Sequence, residues 1–209
     1  MSLSLFNIET SGGNTSSSIR HFDFGIGTVA SVPVPRMAIV SLACRDHKHR
    51  VPETYIIIFV LWAVILGGAG GVLTTIGPWY KNLVKPSWQP PDWLFGPAWT
   101  LILGLTAWAG ILAWQGAETD ADRTIITILF AVNFVCHFLW SPLFFNLRRP
   151  DWALVEVVFL WGSVLSLCIG LRPYSVLASW LIVPYLSWVS FAAVLNLNIV
   201  RLNRPFGKQ

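Results

Sequence analysis

The sequence predicts an all-α integral membrane protein, a bundle of five transmembrane helices, and three observations carry that prediction. Hydrophobic residues make up 55% of the 209-residue chain and charged residues only 11%, with a mean hydropathy of +0.62. A soluble domain carries about 25% charged residues. The charges also fall between apolar blocks, and each block reaches the ~20 residues that a helix needs to cross the hydrocarbon core.

The blocks read in order from charge to charge. Thr54 to Tyr80, Trp93 to Ala117, Thr124 to Leu147 and Pro173 to Val200 are free of charge. A further block, Trp152 to Leu171, contains Glu156, which falls in the first turns of its helix, where the macrodipole favours negative charge. Pro97, Pro142 and Pro184 each fall inside a span and are expected to kink it, with neighbouring helices re-satisfying the freed carbonyls. Gly67 to Gly71 reads GGAGG, a GxxxG spacing that permits close helix contact within the bundle or between subunits.

Residues 1–52 differ in kind and are expected to form a disordered extension to a membrane domain over 53–203, with 204–209 as a C-terminal tail. The extension holds the polar run SGGNTSSS from Ser11 and the basic run RDHKHR from Arg45, without the apolar core of a secretory signal. Few acids and several serines leave organelle targeting as one reading of it, and Met37 as an alternative start is another.

Loop charges give the orientation. The loops on the N-terminal side of the spans hold Arg123 and Arg172, whereas the opposite side holds Lys81, Lys85, Arg148, Arg149, Arg201, Arg204 and Lys208. Basic residues stay on the cytoplasmic side, so the C-terminus is expected there, although the run at Arg45 to Arg50 opposes it. The formal charge of +4 comes from basic residues scattered singly, a pattern of membrane-edge anchors that argues against nucleic-acid binding. Cys44, Cys136 and Cys168 lack metal-ligand spacing and do not make a disulfide framework. His47 and His49 read as solvated residues of the basic run, and no metal site is expected.

Three helix faces carry the polar and aromatic residues. Asn133, His137, Trp140 and Phe144 share one face of the third span; Tyr185, Trp188, Ala192 and Asn196 share one of the fifth; Trp99, Leu103, Thr106 and Gly110 share one of the second. Polar groups in hydrocarbon are costly unless they face the interior, so the stripes should converge. An aromatic interior with few polar groups suits a flat, largely apolar ligand. Helix packing alone also produces such faces, since Trp and Tyr fill space. A lone intramembrane histidine such as His137 is more often a hydrogen-bonded partner than a haem ligand. Between the first two spans lies KPSWQPPDW, Lys85 to Trp93. Pro86, Pro90 and Pro91 fix φ there, and Trp88 and Trp93 can rest at the interface, so the stretch reads as a stiff lid over the bundle mouth.

The motifs WYKNLVKPSWQPPDWLFGPAWT (Trp79 to Thr100), FLWSPLFF (Phe138 to Phe145) and VPYLSW (Val183 to Trp188) resemble the tryptophan-rich sensory protein family, also called the translocator protein or peripheral benzodiazepine receptor family. The similarity extends from about Tyr55 to Asn203. It implies a bundle of five transmembrane helices, usually a homodimer, that binds tetrapyrroles such as protoporphyrin IX, sterols and benzodiazepine-type ligands. Porphyrin or haem enters as ligand, and no cofactor is required. By the same resemblance, Trp79 and Tyr80 match the pair that opens the pocket-covering loop. Trp99 and Trp188 match the two tryptophans implicated in light-dependent porphyrin breakdown, Trp140 an aromatic position, and Ala192 a small residue beside the ligand. The chain departs from the family at His137, where many members have Asn, and at Leu103, where many have Tyr or Phe. Leu197 replaces the aromatic centre of the sterol motif, which puts sterol binding in doubt.

A receptor or carrier for tetrapyrroles is therefore expected, with Lys81, Lys85, Arg148 and Arg149 either attracting ligand carboxylates or serving only as orientation signals. One alternative is a light-dependent porphyrin-degrading enzyme in which Trp99 and Trp188 are catalytic. The other is a ligand-responsive dimeric scaffold. No hydrolytic triad, paired carboxylates or metal cluster is evident.

Overall fold

The computed structural model describes residues 53–206, and all regular structure among them is helical. The extension expected over 1–52, with Met37, Cys44, His47 and His49, lies outside the described residues. Five helices are long and apolar enough to span a membrane: α1 (Thr54–Leu73), α3 (Phe95–Gly116), α4 (Asp120–Ser141), α5 (Pro150–Gly170) and α6 (Val176–Asn203). A short α2 (Pro78–Asn82) and a single 3-10 turn at Asp92–Leu94 lie in the connection between α1 and α3.

Packing closes the spans into a ring. Helix α1 packs on α3, α3 on α6, α6 on α5, α5 on α4, and α4 back on α1. A tight seam runs where α1 and α4 press on α3. Phe59 and Phe130 meet edge to face at 4.8 Å, and a Cβ built on Gly110 would fall 2.5 Å from the Phe59 ring and 2.8 Å from that of Phe130. Trp62 Nε1 donates to the Phe130 carbonyl at 3.3 Å across the same seam. At the other end of α3, a Cβ on Gly116 would overlap the Tyr174 carbonyl, so only glycine allows that approach.

Helix ends follow local chemistry. Thr119 and Asp122 form a capping box at the start of α4, with the Asp122 N–H donating to Thr119 Oγ1 (3.1 Å) and the Thr119 N–H donating to Asp122 Oδ2 (2.9 Å). Ser175 Oγ caps α6 by accepting from the Ala178 N–H at 3.2 Å. Pro150 opens α5 in the first turn, where its missing N–H has no partner to lose.

Several sequence expectations change in detail. The first apolar block runs to Tyr80, but α1 ends at Leu73. Two β-branched threonines follow, and Gly77 stands before Pro78, a position biased against helix. Pro97 does not kink a span, because it is the third residue of α3, within the first turn. Pro142 ends α4 and starts a π-type turn over Pro142–Asn146, closed by the Leu147 N–H donating to the Pro142 carbonyl at 2.9 Å. Pro184 does lie inside α6. Glu156 is the seventh residue of α5, buried, with neither carboxyl oxygen hydrogen-bonded to any described residue. Of the glycines in the GGAGG run only Gly67 meets another helix among the described residues, where a Cβ would lie 3.6 Å from Leu103 of α3; a Cβ on Gly68, Gly70 or Gly71 would meet nothing within 4 Å.

Candidate functional site

The three stripes converge. A cavity of about 420 Å³ opens between α1, α3, α4 and α6, beneath the α1–α3 connection. Tyr80, Trp99, Leu103, His137, Trp140, Trp188 and Ala192 line it, as does Asn196. Of the ligand-site residues expected from sequence, Trp79 alone stands off the wall, packed edge to face on Phe144 with ring centroids 6.2 Å apart.

The wall is built from aromatic contacts. Trp99 stands nearly perpendicular to His137 (centroids 4.7 Å, planes at 82°) and to Trp188 (6.3 Å, 83°). Trp140 stacks on Phe144 at 5.1 Å. Aromatic pairs of this kind are worth about 0.5–1.5 kcal/mol beyond the area they bury, so the wall is held rigid before any ligand enters. The indole N–H groups of Trp140 and Trp188 have no acceptor among the described residues. The π-type turn adds one residue to the wall's register, and so places both Phe144 and Phe145 on the cavity.

Glycines supply the space on the opposite wall. Gly67, Gly70 and Gly71 of α1 line the cavity facing Trp99 and Leu103. With no side chains of their own, they leave the cavity open on that side.

Polar groups sit deep and at the mouth. In the interior His137 Nδ1 lies 2.6 Å from the Tyr185 hydroxyl, which in turn lies 3.4 Å from Asn133 Oδ1. Asn133 Nδ2 donates to Ser163 Oγ at 2.9 Å, and that hydroxyl donates to the Leu160 carbonyl at 2.7 Å. At the mouth the Tyr80 hydroxyl donates to Asp92 Oδ1 at 3.0 Å, and Gln89 Nε2 donates to both residues at 3.2 Å. Lys85 Nζ caps the Tyr80 ring at 3.5 Å. Burial, followed by the hydrogen bond to Asp92, pushes the Tyr80 phenol up to about 12.

The connector differs from the stretch expected to cover the cavity. Tyr80, Asp92 and Phe95 reach the cavity, whereas Pro86, Trp88, Pro90, Pro91 and Trp93 do not. Trp93 is 70% exposed, and Trp88 packs edge to face on Phe191 at 5.7 Å. The prolines shape the strap, and residues on either side of them form its inner surface. Asn203, the last residue of α6, pins the strap: its Oδ1 accepts from the Val84 N–H and its Nδ2 donates to the Val84 carbonyl, both at 2.8 Å. Asp92, Gln89 and Asn203 escape notice in the sequence, because a lone polar residue in a connector or helix end carries no periodic signal.

Of the four cations expected on the strap's side, Arg149 is engaged with Asp151 through two hydrogen bonds, at 2.8 and 2.5 Å. Among the described residues no three His, Cys, Asp or Glu side chains gather as a metal-binding cluster. The site offers stacking surfaces and one imidazole.

Comparison with known proteins agrees with this architecture. The model of the TspO/MBR family matches residues 58–202. The chain is 41% identical to the tryptophan-rich protein TspO of Chlorobaculum tepidum over 129 residues, 60% of this chain and 79% of that protein. It is 37% identical to the tryptophan-rich protein TspO of Archaeoglobus fulgidus over 146 residues, 69% of this chain and 94% of the relative. Against the human translocator protein it is 31% identical over 126 residues, covering 60% and 75%. With five helices apolar enough to span a membrane and a family match over most of its length, this chain is a multi-pass integral membrane protein of the TspO/MBR family.

Proposed function

We propose that this protein is a membrane receptor or carrier for porphyrins and related flat, largely apolar ligands, which it holds in the aromatic cavity beneath the α1–α3 strap. The observation that carries the reading is the convergence of Trp99, Trp140 and Trp188 on one cavity of about 420 Å³. Cavities of about 300–1,000 Å³ lined by aromatic side chains with few polar groups are the usual form of small-molecule sites. Stacking on indole rings suits a conjugated macrocycle, and the basic residues that loop charge puts on the strap's side of the membrane, Lys81, Lys85, Arg148 and Arg149, suit its carboxylates. The reading includes a homodimer and a cytoplasmic C-terminus, the latter on loop charge. Sterols are a weaker fit, because Leu197 stands at the centre of the sterol motif.

The test is a titration of the purified protein with protoporphyrin IX in the dark, following tryptophan fluorescence. Saturable quenching is expected, and its absence would sink the reading. One observation favours light-driven porphyrin breakdown as a second reading: Trp99 and Trp188 touch each other and both line the cavity. Illumination of the complex should then yield product more slowly when both are replaced by Phe. Equal rates would remove those tryptophans from any photochemistry.

A further inference from the structure

His137 presents a nitrogen that stacking alone does not use. Its Nδ1 is committed to the Tyr185 hydroxyl at 2.6 Å, while Nε2 has no hydrogen-bond partner among the described residues and is not one of the shielded, unpartnered polar atoms. The ring lines the cavity.

The hydrogen count of the buried network assigns the tautomer. Ser163 Oγ spends its hydrogen on the Leu160 carbonyl and so accepts from Asn133 Nδ2. Asn133 Oδ1 is acceptor-only, and its neighbour at 3.4 Å is the Tyr185 hydroxyl, which has one hydrogen to give. With that hydrogen directed to Asn133, the Tyr185 oxygen must accept from Nδ1–H, and Nε2 is left with its lone pair. The opposite placement would strand Asn133 Oδ1, which is fully buried, without a donor.

We infer that His137 is an axial ligand for the metal of a metallated tetrapyrrole, bonding it through Nε2 while Tyr185 and Asn133 hold Nδ1–H. This rests on the tetrapyrrole reading above and narrows it to metal-bearing ligands. One protein nitrogen suffices because the macrocycle supplies the other four donors, whereas a bare ion would find a single ligand here. The bond forms when the Nε2 lone pair displaces the water or anion on the metal, with no change of oxidation state. Trp99 packs edge to face against the same imidazole, with centroids 4.7 Å apart, so an indole surface stands beside the ligating ring. Fixing a metal-bound histidine through the hydrogen bond on its other nitrogen is the usual arrangement at such sites.

The experiment uses the full chain in lipid nanodiscs, titrated in the dark with haemin and separately with metal-free protoporphyrin IX. Wild type and the His137→Asn and Tyr185→Phe variants are compared, with folding checked by circular dichroism and gel filtration. The wild-type haemin complex is expected to show an imidazole-ligated Soret spectrum and imidazole nitrogen coupling in pulsed EPR. His137→Asn should lose both signatures and weaken haemin more than protoporphyrin IX, while Tyr185→Phe should weaken haemin by about ten-fold. A wild-type haemin complex without imidazole nitrogen coupling overturns the inference whatever the variants do, as does a spectrum unchanged in a folded His137→Asn protein. Saturable protoporphyrin IX binding beside either result leaves the broader reading standing, and no binding of either macrocycle overturns both.

Discussion

Two residues show how closely the interior is specified. Gly110 sits where the Phe59 and Phe130 rings leave no room for a side chain, so Gly110→Val must push α1 or α4 off α3. Overpacking of this kind costs about 1–3 kcal/mol, and thermal unfolding in detergent should show a lower midpoint. Glu156 is the opposite case: it is buried, yet neither oxygen finds a partner among the described residues. A buried ionisable group without compensation is a cost to the fold, and an amide of the same shape removes it. Glu156→Gln should therefore unfold at the same temperature as wild type or a higher one, and a clear fall would show that the carboxyl has a partner beyond the described residues. Charge-to-charge reading of the sequence places Glu156 on its helix but cannot tell a dipole-facing acid from a core-facing one. The face is set by how α5 packs on α4 and α6, which the reading of a single helix does not supply.

Among the elements, the strap between α1 and α3 is held at two points, the Tyr80–Asp92–Gln89 network and the pairing of Asn203 with Val84. The Tyr80 phenol is pushed up to about 12 in the folded protein, against an ordinary value of 10.0. A raised value means that the folded state holds the proton more tightly. Its contribution to stability is complete below pH 10 and is lost as pH rises through about 12. Alkaline titration should show wild type losing stability across that window, and Tyr80→Phe should flatten the loss. The sequence makes the stiffness of this connector legible through Pro86, Pro90 and Pro91, but not its inner face. Which side chains point inward depends on where α1 ends, and a charge-free run to Tyr80 does not reveal that Thr74 to Gly77 leave the helix. Likewise, Phe144 is readable as a stripe residue, whereas Phe145 joins the wall only through the π-type turn after Pro142.

For the whole molecule, the five spans and the three converging stripes are legible because hydrocarbon enforces both: charge is excluded from the lipid face, and polar groups turn inward. The order of helices around the ring is not legible, since five apolar rods can be arranged in many ways. Residues from four of the spans line the cavity, so a bound ligand ties together most of the bundle. A ligand present at about 100 times its dissociation constant stabilises the folded state by about 2.7 kcal/mol. Saturating protoporphyrin IX should accordingly raise the unfolding midpoint of the whole protein in a single transition. A shift confined to part of the unfolding signal would mean that the guest sits on the surface of one helix.

The pairing of Asn203 with Val84 also has a consequence for how the protein is made. Val84 and Asn203 are 119 positions apart, and Asn203 is the last residue of the last helix. At synthesis rates of about 5–20 residues per second, the strap leaves the ribosome on the order of ten seconds before its anchor does. During that interval the first spans are already in the bilayer while Trp188 and Ala192 do not yet exist, so the cavity is an open trough that lipid can fill. The cavity can close only once α6 has entered beside α3 and Asn203 has met Val84.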